Sequence, residues 1–323
     1  MAIIEIEQLT KQFDRLVAVD RLSLEVQPGE FFGLLGPNGA GKTTTLLMLT
    51  TLLKPTSGTA RVNGFDVVRE ADAVRRSIGI VFQDPSSDDT LTGYENLKLH
   101  GMLYGVPAVL RERRIREVLE LVDLAGRKDD IVKKYSGGMR RRLELARGLL
   151  HHPKVLFLDE PTLGLDPQSR EHIWRYIEGL SREEGISLVI TTHYMEEVDR
   201  LCDRLAIMDA GQIVALDSPA SLKRTLGGDV VILKVGEPRL QALESLPFVR
   251  KAEQRNGLLY LTVTEASQHL PRILEVVGSV ETVEVRPATL NDVFLHYTGR
   301  EIREGSPEGG WAERSMHYRS ATR

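Results

Sequence analysis

A glycine-rich run near the start of the chain has the spacing of a loop that binds phosphate. It fits the pattern G-x-x-x-x-G-K-[ST] and consists of Gly36, Pro37, Asn38, Gly39, Ala40, Gly41, Lys42 and Thr43, with Thr44 next in the chain. Glycines let backbone N–H groups approach phosphate oxygens, and a helix that starts at the loop turns its positive end toward the same anion. Lys42 would reach the β- and γ-phosphates, and the Thr43 hydroxyl would bind Mg²⁺. The run therefore predicts a nucleoside triphosphate site.

Two carboxylates follow a second apolar segment. Residues 155–158 are typical of a buried strand, and Asp159 and Glu160 come directly after it. Ligands of α/β proteins bind at the carboxyl ends of the strands, so both acids would face the phosphate site. Asp159 is placed to hold Mg²⁺, directly or through water, and Glu160 to polarise the water that attacks the γ-phosphate. The two motifs together predict hydrolysis of the nucleotide.

A parallel sheet is needed to position these residues. Residues 31–35 are apolar, short enough for a buried strand, and lead directly into the phosphate loop. Strands and helical stretches alternate further along, with strands expected at 77–83, 155–158, 187–191 and 205–209. That order is typical of parallel strands joined by helices. The charged, helix-patterned block at about 84–150 is too long for one crossover and predicts a helical subdomain.

The pattern changes near Leu226, and a smaller unit follows. Its expected elements are a strand (230–235), a helix (239–245), a hairpin that turns at Asn256-Gly257, a helix (267–277) and a strand (280–285). This β-α-β-β-α-β order is that of a ferredoxin-like α+β unit. We expect a nucleotide-binding domain over residues 1–227 and an accessory domain over 228–298. The tail, 299–323, is rich in Gly, Ser, Pro and charges and is expected to be disordered.

Further motifs in the chain resemble those of ABC-type ATPases. The loop from Tyr135 to Met139 opens a helix and resembles the family's signature sequence; between these two residues stand Ser136, Gly137 and Gly138. Gln83 precedes the helical block as the Q-loop does, and Asp166 ends a segment, Leu163-Gly164-Leu165-Asp166, that resembles the D-loop. His193 resembles the switch histidine, and Phe13 stands where the family places the aromatic residue that stacks on adenine. The resemblance covers about residues 2–225.

The resemblance implies an α/β fold, with a P-loop ABC-type ATPase core, and a composite ATP site. Two subunits would pack head to tail as a homodimer and enclose two ATP molecules. Each γ-phosphate would be held by Lys42 of one subunit and by the signature residues, Ser136 to Gly138, of the other. His193 would bond the γ-phosphate and help hold the attacking water. Gln83 would bind Mg²⁺ together with Thr43 and Asp159, and the D-loop residue Asp166 is grouped with the nucleotide-binding residues.

Three departures from the commonest family pattern point to one branch of the family. Tyr135 and Met139 replace the first and last residues of L-S-G-G-Q, and Gly164 stands where many members have alanine. These variants are familiar in the branch paired with ABC-2 exporter permeases, and the segment 287–299 resembles the ending of daunorubicin-type drug-resistance ATPases. The resemblance implies an exporter ATPase held at the cytoplasmic face of the membrane by a separate permease. Drug, antibiotic, lipid and polysaccharide substrates remain open, as does a regulatory, dimer-stabilising or packing role for the accessory domain.

A second hypothesis is an ABC ATPase that works on ribosomes or DNA. Such translation factors usually carry two cassettes and such DNA proteins long coiled coils, whereas this chain has one cassette and no coiled-coil pattern. A net charge of 42 − 46 = −4 also disfavours a nucleic-acid binder. A regulator that does not hydrolyse ATP is opposed by Lys42, Asp159, Glu160 and His193.

Several other residues are expected to be structural. Arg140, Arg141, Arg142 and Arg147 are interpreted as the solvent-exposed basic face of an amphipathic helix whose opposite face carries leucines. Trp174 is expected to be a half-buried residue of the core, and Cys202 is expected to be buried rather than reactive. No apolar run approaches the roughly 18–20 residues that a membrane-spanning helix needs.

Overall fold

A computed structural model of the chain describes residues 1–236, 240–255 and 257–299. The described chain forms two compact units, divided between Leu216 and Asp217. The tail that was expected to be disordered lies outside the described residues, apart from Gly299. None of the described helices is both long and apolar enough to cross a membrane.

The first unit is built around two sheets and a group of helices. Its strands are β1 (Ile4–Phe13), β2 (Leu16–Val26), β3 (Phe31–Leu35), β4 (Ser57–Val62), β5 (Phe65–Asp66), β6 (Ile78–Val81), β7 (Val155–Asp159), β8 (Ser187–Thr192), β9 (Arg204–Asp209) and β10 (Gln212–Asp217). Its helices are α1 (Lys42–Leu49), α2 (Ala71–Ser77), α3 (Gly93–Leu103), α4 (Ala108–Leu121), α5 (Gly137–Leu149), α6 (Pro167–Glu184) and α7 (Met195–Leu201).

The larger sheet has the strand order β10-β9-β3-β8-β7-β6, and the pairs from β9 to β6 are parallel. Every residue of β3, β7 and β8 is buried, as expected of strands covered on both faces. These three strands are neighbours, so their carboxyl ends lie side by side. The phosphate loop follows β3, Asp159 ends β7 with Glu160 next, and His193 follows β8, which confirms the predicted α/β core.

A smaller antiparallel sheet, ordered β2-β1-β4-β5, packs into the same core. Its buried residues Ile4 and Val62 share a hydrophobic cluster with Phe32 of β3, Leu46 of α1 and Phe157 of β7. The phosphate loop and α1 are therefore supported by close-packed side chains from both sheets.

The predicted helical block between β6 and β7 contains three packed helices, α3, α4 and α5. Helix α3 begins at a capping box in which Thr92 and Glu95 satisfy each other's backbone N–H groups. Helix α5 begins at Ser136 and runs toward β7, so the signature segment starts the helix that returns the chain to the sheet.

The second unit has the predicted ferredoxin-like topology. Its elements are α8 (Pro219–Thr225), β11 (Asp229–Lys234), α9 (Leu240–Glu244), β12 (Val249–Arg255), β13 (Leu258–Val263), α10 (Ala266–Val277), β14 (Thr282–Arg286) and α11 (Leu290–Thr298). The strand order is β12-β13-β11-β14 with antiparallel neighbours, as in a split β-α-β arrangement. Helix α11, which lies within the expected range 228–298, packs against α8, which was expected to belong to the first domain.

Candidate nucleotide-binding site

The phosphate loop is a tight connection between β3 and α1. Gly41 is the N-cap of α1 with φ 99°, and a Cβ there would lie 2.5 Å from the Ala18 carbonyl oxygen, so the position requires glycine. Lys42 is buried, and its Nζ donates hydrogen bonds to the carbonyls of Gly36 (2.8 Å) and Pro37 (3.0 Å). The ammonium group is thus held over the loop, close to the N-terminus of α1. The ammonium group and the helix N-terminus would both attract an anion there.

The loop is joined to the end of β7 through Asp159. The Thr43 hydroxyl donates to Asp159 Oδ1 at 3.1 Å, and the buried Thr191 hydroxyl of β8 donates to the same oxygen. Thr43 and Asp159 are 116 residues apart in sequence and come together because β3 and β7 both neighbour β8. The predicted pair of Mg²⁺ ligands is therefore assembled in one place.

Glu160 and His193 form a second contact at the same sheet edge. Glu160 has φ 45°, and its N–H donates to the Thr191 carbonyl at 3.0 Å. The His193 Nδ1 lies 3.3 Å from Glu160 Oε1, and both side chains are buried. The ring of Tyr194 packs on the His193 ring with centroids 4.2 Å apart. A carboxylate and an imidazole in contact, beside the phosphate loop, could together orient a water molecule.

The donor groups at this edge suit a magnesium ion. Thr43 Oγ1 and Asp159 Oδ1 are oxygen ligands of the kind that Mg²⁺ prefers, and they lie 3.1 Å apart. Magnesium in nucleotide sites is commonly held by one or two such protein oxygens together with phosphates and water. Gln83, the third predicted ligand, is half-buried in the segment after β6.

The signature residues form the exposed start of a helix. Ser136 is the N-cap of α5 and its Oγ accepts from the Met139 N–H at 3.2 Å. Ser136 and Gly137 are exposed, so the positive end of a 13-residue helix faces solvent. Tyr135, the departure from the commonest family pattern, is buried and its hydroxyl donates to the Arg127 carbonyl at 2.8 Å. This side chain anchors the loop and leaves the next three residues available to a ligand.

The two remaining predicted residues lie on other elements. Asp166 is the N-cap of α6 and accepts from the Ser169 N–H at 2.9 Å; hydrogen bonds from Ser169 lower the pKa of its carboxyl. Phe13 ends β1, half-buried, with Lys11 Nζ 4.9 Å from its ring centroid. One edge of the sheet thus brings together five of the predicted residues: Lys42, Thr43, Asp159, Glu160 and His193. Ser136 and Asp166 are the N-caps of α5 and α6, and their hydrogen bonds to Met139 and Ser169 lie within those helices.

The interpretation of the arginines of α5 as a solvent-exposed face is wrong at Arg141. Only 5% of Arg141 is exposed, and its guanidinium donates to the carbonyls of Asp159, Glu160 and Pro161. The spacing contained the signal, because Arg141 stands four residues before the buried Leu145 and so lies on the apolar face. The charge of Arg141 had suggested a position in solvent, whereas its place on the apolar face of the helix indicated the core.

A buried carboxyl was also missed. Glu197 of α7 is completely buried, and its Oε1 accepts from Thr162 Oγ1 at 2.9 Å and from Trp174 Nε1 at 3.0 Å. Burial raises the pKa of Glu197, with hydrogen bonds opposing that change. The predicted core position of Trp174 is confirmed, as is the burial of Cys202, which raises the pKa of that thiol well above its ordinary value.

Comparison with protein families gives two matches that follow the two units. The ABC transporter family model matches residues 19–163. The model for the C-terminal domain of DrrA1-3-like ATP-binding proteins matches residues 218–298. The match to the second family coincides with the ferredoxin-like unit and its two flanking helices.

Similar proteins span almost the whole chain. The Nod factor export ATP-binding protein I of Cupriavidus metallidurans is 42% identical over 306 residues, which are 94% of this chain and 99% of that protein. The daunorubicin resistance ATP-binding protein DrrA3 of Streptomyces coeruleorubidus is 42% identical over 313 residues, which cover 94% of this chain and 98% of that protein. The linearmycin resistance ATP-binding protein LnrL of Bacillus subtilis is 36% identical, covering 93% and 100%.

Solved structures agree with the fold of the first unit. The cbiO1 protein of Clostridium perfringens, part of an ABC transporter complex, aligns over 70% of this chain and 93% of its own with a TM-score of 0.65 and 28% identity. A dimeric ATP-binding cassette in a post-hydrolysis state with ADP and Pi aligns over 67% of this chain and 98% of its own, with a TM-score of 0.60 and 26% identity. The chain belongs to the ATP-binding proteins of the ABC transporter family, and its activity is the binding and hydrolysis of ATP.

Proposed function

We propose that this chain is the ATP-hydrolysing subunit of an exporter, working as a homodimer with a separate ABC-2 type permease at the cytoplasmic face of the membrane. The substrate class we propose is a drug, an antibiotic or a lipid-like molecule. This rests on relatives named for Nod factor export, daunorubicin resistance and linearmycin resistance, each aligned over at least 93% of the chain, including the accessory unit.

The observation that carries the ATP-hydrolysing part of the proposal is the assembly at the sheet edge. Thr43 contacts Asp159, and Glu160 contacts His193, at the carboxyl ends of neighbouring strands. In the proposed site Lys42 and the loop N–H groups bind the phosphates, with Phe13 beside the adenine. When bound, Mg²⁺ would neutralise phosphate charge, with Thr43, Asp159 and Gln83 as its protein ligands.

The chemical step we propose depends on Glu160 and His193. The carboxylate of Glu160 would accept a hydrogen bond from the attacking water and draw its proton away. His193, in contact with Glu160 Oε1, would orient that water and hydrogen-bond the γ-phosphate. Because both side chains are buried, little solvent screens the charge that develops on the phosphate.

The second half of each site would come from the partner subunit. The exposed start of α5 offers a hydroxyl and backbone N–H groups to an anion, from Ser136, Gly137 and Gly138. Helix N-termini of this kind commonly bind anions. Dimeric cassettes are among the solved structures that this chain resembles. We propose that two copies pack head to tail, so that this segment of each chain closes over the other chain's ATP, with Asp166 nearby.

Glu160→Gln tests the chemical role and the dimer together. The substitution keeps the shape but removes the charge that polarises water, so ATP hydrolysis falls by about 100-fold or more while ATP still binds. Light scattering with Mg-ATP then shows a stable species of doubled mass. Lys42→Ala serves as the comparison, since it weakens ATP binding and prevents the dimer. A Glu160→Gln chain that hydrolyses ATP normally and stays monomeric contradicts the proposal.

The permease is tested by copurification. The tagged chain, expressed with the candidate membrane protein from its own genome, is extracted in detergent and returned to lipid vesicles. We expect its ATPase rate to rise when the transported molecule is added. Copurification with ribosomes or DNA, and not with a membrane protein, would instead support the alternative function.

A further inference from the structure

Arg141 joins three segments of the chain through backbone carbonyls. From α5, its Nη2 donates to the carbonyls of Asp159 and Glu160, each at 3.1 Å, and its Nε donates to that of Pro161. Its Nη1 donates to the carbonyls of Phe82 and Gln83. One planar guanidinium therefore holds the end of β7 and the loop after β6 against α5.

Burial of this cation is balanced by its surroundings. Burial lowers the pKa of Arg141 to about 10, against nearby carboxylates that raise it, so the side chain remains charged at neutral pH. Carbonyl oxygens that follow the end of a strand have no partner in the sheet ladder, and the fork of N–H groups satisfies them. Removing the guanidinium would take away five hydrogen bonds to backbone carbonyls, of which that of Glu160 also accepts from the Leu163 N–H.

A second contact fastens the same loop to the same helix. Glu144 of α5 is buried and accepts from Ser86 Oγ and from the Ser87 N–H, each at 2.8 Å. Arg147, one turn further along, donates to both Glu144 and Ser86. The loop that carries Gln83 and helix α5 are thus tied together at two successive turns.

Arg141 stands four residues after Gly137, about 6 Å along the helix axis. The first turn of α5 is therefore connected rigidly to the backbone that carries Asp159 and Glu160 of the same chain. In the head-to-tail dimer proposed above, on which this step rests, that first turn contacts the partner's ATP. Asp159 and Glu160 serve the chain's own ATP.

We propose that Arg141 is a positioning residue that couples the two ATP sites of the dimer. Closure of the signature turn on the partner's ATP moves α5, and Arg141 passes that displacement to the Asp159–Glu160 backbone and to the Gln83 loop. Each site then reaches its hydrolytic geometry only when the other is occupied. A residue that merely held the fold together would affect the amount of folded protein and not the dependence of one site on the other.

Arg141→Lys tests the coupling in the full chain, with Arg142→Lys as a matched control. Arg142 neighbours Arg141 on the same helix but donates to the carbonyls of Val122 and Asp123, at the end of α4. Lysine keeps the positive charge at both positions but cannot donate to all the carbonyls that Arg141 holds. The readout is ATPase rate against ATP concentration, with a thermal unfolding midpoint for each protein.

We expect positive cooperativity in the wild type, with a Hill coefficient that cannot exceed about 2 for two sites. Arg141→Lys lowers it to about 1 and lowers kcat about tenfold, while ATP binding to the isolated chain changes less than threefold. Arg142→Lys leaves cooperativity unchanged. Glu144→Gln weakens the second contact and removes a carboxylate that raises the pKa of Arg141, but it leaves the Arg141 hydrogen bonds in place. It should lower cooperativity by a smaller amount and provides the test if Arg141→Lys does not fold.

Two results would overturn the coupling in distinguishable ways. If Glu160→Gln forms the ATP-dependent dimer and a folded Arg141→Lys retains wild-type cooperativity, Arg141 has only a structural role and the dimer stands. The same conclusion follows if the Lys variants of Arg141 and Arg142 reduce cooperativity equally. If Glu160→Gln forms no dimer and the wild type is not cooperative, the dimer itself is wrong, and the coupling falls with it.

Discussion

The Thr191 hydroxyl is expected to control how strongly the site responds to magnesium. Thr191 is completely buried on β8 and donates to the Oδ1 atom of Asp159, the same atom that accepts from Thr43. If the Thr43 hydroxyl bound Mg²⁺ instead, the Thr191 hydroxyl would still hold the Asp159 carboxylate in place. Thr191→Val removes this hydrogen bond and a longer one that the hydroxyl accepts from the Glu160 N–H at 3.3 Å. It keeps the side-chain shape and the backbone carbonyl that accepts from the same N–H at 3.0 Å.

The size of the effect follows from the type of bond. A hydrogen bond to a charged group contributes about 1.5–3 kcal/mol, which corresponds to about 10–100-fold in an equilibrium constant. Groups that orient a metal ligand commonly change metal affinity by a similar factor. We therefore expect the half-saturating Mg²⁺ concentration for ATP hydrolysis to rise about 10–100-fold in Thr191→Val.

The assay is ATPase rate at fixed ATP over a titration of Mg²⁺, with urea unfolding of each protein alongside. Thr50→Val is the control, because Thr50 is equally buried but its hydroxyl bonds only to carbonyls within α1 among the contacts described, those of Leu46 and Leu47. It should lower stability while leaving the Mg²⁺ dependence unchanged. If Thr191→Val shows the wild-type Mg²⁺ dependence, the hydroxyl does not orient Asp159 for a metal.

Three further substitutions test separate parts of the molecule. Burial raises the pKa of Glu197 above its ordinary 4.5, so the contribution of this one group to native stability is greatest at low pH and falls as the pH rises. In urea unfolding, Glu197→Gln should therefore be at least as stable as wild type at pH 8 and should lack this part of the pH dependence. Gly41→Ala places a methyl group 2.5 Å from the Ala18 carbonyl at φ 99°, and calorimetry should show ATP binding weakened by about tenfold or more. Burial opposes ionisation of Asp292, but hydrogen bonds from Arg286 and Thr289 lower the pKa of its carboxyl. Asp292→Asn should therefore lower the free energy of unfolding by about 1–3 kcal/mol at pH 7. The difference from wild type should disappear as the pH falls below 3.8.

Local pattern predicted most of the framework and the residues of the nucleotide site. The run 31–35 is apolar throughout, and its direct connection to the glycine loop required a buried strand before a helix, as the structure shows. The hairpin in the second unit was predicted from the turn at Asn256-Gly257, and its strands pair from Arg255 with Leu258 onward. Such features depend on neighbouring residues, so a single sequence contains them.

Contacts between distant segments were not predictable in the same way. Nothing in the local sequence shows that Thr191 reaches Asp159, because that depends on β8 lying between β3 and β7. Glu197 lay in a polar-looking stretch, yet the burial of Val198 and Leu201 beside it places that helix face in the core. Residue type alone suggests solvent for both Arg141 and Glu197, whereas helical spacing indicates the interior.

The geometry at Glu160 explains why two consecutive acids can act at one site. Successive side chains of a strand point to opposite faces, so an extended β7 would separate the carboxylates of Asp159 and Glu160. The strand instead ends at Asp159, and Glu160 adopts φ 45°, a left-handed conformation that costs a non-glycine residue about 1–3 kcal/mol. The Thr191 carbonyl and the Arg141 guanidinium hold that turn, so that Asp159 meets Thr43 while Glu160 meets His193. The surrounding hydrogen bonds thus stabilise a strained backbone where the proposed chemistry needs two carboxylates with different partners.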